Sequence, residues 1–341
     1  MDKSDFSIGY VSISEIKDNY MSQLKELGIK TYILNRSIKN PFSYIRHLTK
    51  IAKGYDIIHV HGNSATMVLE MIAAKIAKVP LRCAHSHNST CGMRIINILA
   101  HPVFDTLCNG RLACGEKAGK WLHHDKDFII IKNGIETDMF RFNQDKRLLI
   151  RKSLEWEKYI ILANIANFVE AKNHEFLINV FAEIYKKRQD VRLLLFGIGP
   201  LMEKAQFQAK SLGIEDKILF AGSVSNISDY LSAIDLIIMP SKFEGLPLTL
   251  IEEQANGLDA IVSDAITRDA DITGHLTFLP LGKGKDYWSE EIISRLNREI
   301  IRSEENSLAS INMITHAGYD INSSAAKLKN YYTTKLKRHN G

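Results

Sequence analysis

Residues 235–264, DLIIMPSKFEGLPLTLIEEQANGLDAIVSD, decide the fold. The apolar runs 235–239 and 259–263 read as buried strands. Between them a short loop passes through Glu244 and Gly245, and 247–256 reads as a helix opened by Pro247, whose missing N–H is no loss in a first turn. Strand, helix, strand in this compass is the unit of a parallel sheet. A helix that opens just past a strand end turns free N–H groups and its positive dipole end outward, which favours an anion and above all a phosphate. Glu244 and Glu252, with seven residues between them, place one carboxylate on the loop and one on the helix. Carboxylates beside a phosphate must read something else, and sugar hydroxyls are the natural partners.

The same rhythm extends in both directions. Strands are expected at 159–166, 191–197 and 217–221, helices at 173–188, 200–212 and 225–233, and two further helices at 288–303 and 322–335. The first half repeats it, with strands at 6–12, 30–34, 56–61, 81–86, 111–114 and 128–132 and helices at 14–27, 42–53, 64–78 and 116–123. Two series joined by the charged segment 143–158 predict two facing Rossmann-like domains: 1–150 on the acceptor side, 151–315 for the nucleotide sugar, and a terminal helix in 316–341 returning to the first. The cleft between them is the expected site.

Composition narrows the class. With 341 residues, 45% hydrophobic and 24% charged, the chain is an ordinary globular protein, and disordered and collagen-like classes are excluded. Its longest nearly apolar stretch, Tyr159 to Val169, is short of the roughly 18–20 residues that cross a bilayer. The opening residues show no secretory pattern, so the expected place is the cytoplasm. The four cysteines form no C-x-x-C pair, which argues against a disulfide framework. Residues 1–155 carry 23 Lys and Arg against 15 Asp and Glu, and the remainder 21 against 24. The basic half leaves open a solvated surface, an anionic membrane face or an anionic substrate. Nucleic acid is not expected, because the basic residues show no interleaved aromatics.

The E-G-L-P-L-T-L-I-E run resembles the paired-glutamate motif of the family-4 retaining glycosyltransferases, enzymes of the GT-B fold. Further resemblances follow in order: HVHGNSATM (59–67), RCAHSHN (82–88), ACGEKAGKWL (113–122), KNGIETDMF (132–140), FVEAKNH (168–174), LLLFGIGP (193–200) and AGYDI (317–321). Several are similar to a branch that builds bacterial capsule and exopolysaccharide. The resemblance implies that Glu252 holds the ribose hydroxyls of a nucleoside diphosphate sugar, UDP being the expected nucleotide. It places Glu244 on the donor sugar, with Gly245, Leu246 and Pro247 at the sugar and diphosphate, and pairs Lys172 with the diphosphate. It makes His87 the active-site histidine, puts Gly197 and Gly199 where backbone approaches the donor, and sets Asn133 and Gly134 with His61 on the acceptor side. Lys172, His87 and Glu244 are thus the catalytic candidates. No cofactor is implied beyond the donor.

Two departures stand out. Ala166 and Asn167 occupy the place where the family carries Gly-Arg, so one charge on the diphosphate is missing, and Asn167 takes the donor-side position. The chain also opens at what resembles the family's second strand, FSIGYVS, without a first strand and glycine-rich loop. A metal was weighed as well. Cys83, His85 and His87 alternate on one segment and His59 and His61 on another, enough ligands for zinc, but the spacings match no familiar zinc pattern and none is expected.

The leading expectation is therefore a retaining glycosyltransferase that moves a sugar to a glycan or polyprenyl-linked acceptor, at the inner membrane face where the basic half would hold it. The alternatives are a catalytically impaired homologue that scaffolds glycan assembly, motivated by Asn167, and a nucleotide-sugar epimerase sharing fold and donor.

Overall fold

The computed structural model describes residues 6–36 and 40–340. The chain divides into two units: the first runs to Asn133 and resumes at Asn322, and the second is Gly134–Ile321.

In the first unit, strands β3 (Ile57–Gly62), β4 (Leu81–Ser86), β5 (Gly110–Ala113) and β6 (Ile129–Ile130) form a parallel sheet in that order, and β1 (Gly9–Ser12) pairs with β2 (Lys30–Ile33) in a separate two-stranded ribbon. The segment 87–110, for which no element was expected beyond its final strand, contains a helix, Arg94–Leu107, on which Pro102 interrupts the usual helical reading. The terminal helix Ile321–Asn340 sends Tyr331 and Tyr332 into the first unit's sheet, against Leu81, Cys83, Leu112 and Ile131.

The second unit is a six-stranded parallel sheet made of β7 (Ile160–Ile165), β8 (Val191–Phe196), β9 (Ile218–Gly222), β10 (Leu236–Met239), β11 (Ala260–Ser263) and β12 (Leu276–Leu279). Their order is β12-β11-β10-β7-β8-β9, with apolar cores on both faces. Because both faces are covered, the strands read as continuous apolar runs, and every residue of β8 is buried. The edge strand β12 was not expected from sequence: only its end residues Leu276 and Leu279 are buried, and Thr277 breaks the apolar run. The helix expected at 288–303 is Gly284–Leu296, which starts earlier and ends earlier, and a further helix, Glu304–His316, was not expected.

The charged segment 143–158 is a helix, Gln144–Ser153, capped by the Asn143 side chain on Lys146 N at 2.8 Å. Arg147 and Arg151, one turn apart, grip the buried Asp235 at 2.5 and 3.0 Å, and Asp235 also accepts from Ile161 N at 2.7 Å. The helix is thereby fastened to the second unit, and the join between units falls at 133–134 where the sequence reading put 150–151. At that join the outgoing and returning chains run side by side, Ile135 N bonding Tyr319 O at 2.7 Å and Ile321 N bonding Ile135 O at 2.9 Å.

Candidate functional site

The second sheet reverses direction between β7 and β10: the chain builds outward through β8 and β9, then returns to the other side of β7. Loops leaving two such strands diverge and open a crevice beyond their carboxyl ends, the usual ligand position on an open parallel sheet. The two loops here are 166–173 and 240–247, and Lys172 and Glu244 lie on them.

The loops are bonded to each other. Lys242 N donates to Ala171 O at 2.7 Å, and the Asn173 side chain donates to Pro240 O at 3.1 Å. Asn173 sits in the left-handed region, φ 60°, which Asn tolerates and which turns the chain into helix His174–Lys187. Lys172 pairs with Glu244, and Ser241 Oγ donates to the same Glu244 oxygen at 2.9 Å. Ser263 Oγ in turn holds Ser241 O at 2.5 Å. Lys172 thus lies against the sugar-side glutamate, where the resemblance gave it only a diphosphate; an ammonium has three protons, so one pairing leaves donors for a phosphate oxygen.

Helix Leu248–Ala255 opens at this crevice after Pro247, and no side chain caps it among the described residues. Gly245 is exposed, and a Cβ there would meet nothing within 4 Å, so packing within the chain does not demand a glycine. Leu246 packs against the core and Pro247 is buried, so both hold the loop's shape. Glu252 is half-buried on the helix, and burial raises its carboxyl to about 7. Its neighbour Glu253, which the sequence reading passed over, is fully buried with neither oxygen partnered among the described residues; burial first, then Glu252, pushes it well above the usual carboxylate range.

Gly197 and Gly199 are demanded by packing within the chain. Gly197 has φ 115°, and a Cβ on it would lie 2.2 Å from Ala166 O; one on Gly199 would lie 2.5 Å from Phe168 O. Both let the β8 loop close on the β7 loop, which Phe168 N to Ile198 O and Leu201 N to Phe168 O then bind at 3.1 Å. They shape the loop that carries Lys172. His174 stacks on Phe168 with ring centroids 4.0 Å apart, and burial beside Lys172 lowers it to about 4. Asn167 is exposed at the loop tip. Lys242, unnoticed in the sequence, stands on the facing loop and pairs with Glu170, bringing a second ammonium to the rim of the crevice.

The remaining candidates lie in the first unit. His59 and His61 on β3 pair in register with Cys83 and His85 on β4, so all share one face, with His87 just past the strand end. His61 Nδ1 and His87 Nε2 are 2.8 Å apart, His59 Nδ1 meets the Tyr332 hydroxyl, and Asn133 bonds His87. Burial, then neighbouring imidazoles, lowers His85 to about 3 and His61 to about 4, and burial also lowers His87 against the opposing Asn133 bond. All are neutral near pH 7. His87 can therefore position a group by hydrogen bonding but brings no positive charge. His59, His61 and His85 offer ring nitrogens within 4.8 Å of one another. Their rings are stacked, however, 11° apart for His59 and His61 and 25° for His59 and His85, and lone pairs lying in nearly parallel planes do not converge on one ion without rotation. Gly134, expected beside Asn133, belongs to the second unit, where a Cβ would strike Ile321 Cα at 2.6 Å; it is the glycine that lets the two crossing chains touch.

The fold is that of the GT-B glycosyltransferases. Solved structures of the same architecture include Anabaena HepE in complex with UDP, at TM-score 0.77 and 15% identity, covering 96% of this chain and 92% of that one. A glycosyltransferase from Rickettsia africae matches at TM-score 0.77 and 18% identity, covering 96% and 90%. Residues 145–300, within the second unit, match the family described as Glycosyl transferases group 1, and with the relatives that follow this makes the chain a glycosyltransferase enzyme. Among relatives, the putative glycosyltransferase EpsF of Bacillus subtilis is 29% identical over all of this chain and 92% of its own length. The UDP-Gal:alpha-D-GlcNAc-diphosphoundecaprenol alpha-1,3-galactosyltransferase of Escherichia coli is 25% identical over 73% of this chain and 68% of its own. Among the described residues no helix is long and apolar enough to cross a membrane.

Proposed function

We propose that the chain is a retaining glycosyltransferase that moves a sugar from a UDP-linked donor to a hydroxyl of a glycan or polyprenyl-linked acceptor in exopolysaccharide assembly. The observation that carries this reading is the convergence of Lys172, Glu244 and an uncapped helix N-terminus at the switch point between β7 and β10. Lys172 and the first N–H groups of helix Leu248–Ala255 receive the diphosphate, Glu244 accepts from sugar hydroxyls, and Glu252 accepts from the ribose. UDP is favoured because HepE carries it, and a polyprenyl-linked acceptor by the name of the Escherichia coli relative.

In this reading the departing diphosphate oxygen takes the proton of the attacking hydroxyl on the same face of the sugar. The C–O bond to phosphate breaks as the new glycosidic bond forms, so configuration is retained. Lys172 neutralises charge developing on the leaving group. No protein nucleophile and no metal enter the scheme. Lys242 favours the active reading over the impaired homologue, since a second cation stands near the loop where Asn167 replaces arginine.

Incubation with UDP- and GDP-sugars and a polyprenyl-diphosphate-linked acceptor, followed by NMR of the product, tests it. An α-linked product from an α-donor is expected. A β-linked product contradicts retention, and sugar conversion without transfer establishes the epimerase instead.

A further inference from the structure

Helix Arg94–Leu107 is built inside out. The residues facing the first unit are partly polar: Asn97, 8% exposed, accepts from Ala65 N at 2.7 Å, and His101, also 8% exposed, meets Leu122 O at 2.9 Å through Nε2, beside the apolar Phe104. The spacing i, i+3, i+4, i+8, which ordinarily marks the core side of a helix, falls on the outer face. Phe104 and Leu107 give the helix its large apolar contacts inward, whereas on the outer face Ile95 and Leu99 are each 74% exposed, Ile98 69% and Val103 49%, with Ile96 on the flank at 48%. So many contiguous branched apolar side chains on one turn-to-turn stripe mark an interaction surface.

Charge selects the occupant. Residues 1–133 and 322–341 together carry 23 Lys and Arg against 11 Asp and Glu, whereas 134–321 carry 21 against 28. A second copy meeting this one face to face would bring two strongly positive units together, which like-charge repulsion opposes. An anionic bilayer meets both features at once, its headgroups drawing the basic unit and its acyl boundary receiving the isoleucines and leucine. At fourteen residues with its inner side committed to protein, the helix lies in the interface and does not span it.

We infer that the outer face of helix Arg94–Leu107 is a membrane-docking surface that seats the first unit in the headgroup layer of an anionic bilayer. The surface deepens the proposed reaction by bringing the enzyme to a lipid-linked acceptor, and rests on that reading only for this purpose. Its physical basis, apolar exposure on a basic unit, is independent of donor chemistry.

The full chain is sedimented with vesicles of equal parts phosphatidylglycerol and phosphatidylcholine, and with pure phosphatidylcholine, in the absence of donor and acceptor. Binding to the anionic vesicles, weakened by salt and absent from the neutral ones, is expected. The double variant Ile95→Glu with Leu99→Glu should lose about ten-fold or more in partition while keeping its melting temperature and donor binding, because both side chains already face solvent. Unchanged partition in this variant overturns the proposal by showing that charge alone binds the vesicles. Absence of vesicle binding by the parent overturns it as well, as does a concentration-dependent dimer that the double variant abolishes. Donor affinity, measured in the same preparations, separates failure of this surface from failure of the glycosyltransferase reading.

Discussion

The two units handle polarity in opposite ways. The second keeps apolar residues inside two well-covered faces and brings its charged groups to strand ends, where Lys172 pairs with Glu244 and Lys242 with Glu170. The first keeps four imidazoles crowded on one sheet face and turns isoleucines outward on helix Arg94–Leu107. A parallel sheet with both faces covered opens to ligands only at its rim, so Lys172 and Glu244 stand at strand ends while an interior charge such as Asp235 is paired within the protein. The first unit, less tightly closed, holds uncharged polar groups inside because desolvation keeps its histidines neutral.

Changes that put that contrast under strain rank as follows. Asp235→Ala leaves Arg147 and Arg151 buried without their acid and should cost about 3–5 kcal/mol in urea unfolding, the largest effect expected. A loss under about 1 kcal/mol would mean that the helix at 144–153 is not held by this fork. Lys172→Ala should lower kcat by about 100- to 1,000-fold with the fold intact, measured in the transfer assay, because a leaving diphosphate loses its nearest cation. Glu253→Gln goes the other way. The folded state holds the Glu253 proton well above the ordinary 4.5, so the unfolded chain releases it first and stability is lost as pH rises. The amide escapes this, and its advantage in thermal unfolding should appear above about pH 4.5, reaching about 1–3 kcal/mol near neutrality. The smallest effect is on donor affinity. Glu252, raised to about 7, must be ionised to accept two ribose hydroxyls, so affinity should fall about ten-fold per pH unit below that value and level off above it.

The second unit was legible because its strands are unbroken apolar runs and its site residues sit in one short motif, 240–252, beside one strand end. Edge strand β12, buried only at its two ends and broken by Thr277, gave no such signal. The helix at 144–153 was hidden by its charge, although Asn143 with Arg147 and Arg151 one turn apart is a readable cap and fork. In the first unit the helix at 94–107 escaped reading because its apolar stripe serves no core and Pro102 falls within it. Glu244 and Lys172 fall on the predicted loops and Glu252 on the predicted helix, but sequence spacing could not tell that Gly197 and Gly199 serve the packing of two loops. Lys242 and Ser241 carried no motif; only the pairing of β7 with β10 brings them to the crevice.

The central claim is that the crevice between β7 and β10 holds a nucleoside diphosphate sugar. Calorimetry with UDP-sugars, comparing the parent with Glu252→Ala at matched circular dichroism, tests it most directly. Saturable binding by the parent that disappears in Glu252→Ala is the predicted result, and Asn167→Arg should bind more tightly than either. Equal affinity in the parent and Glu252→Ala would contradict it.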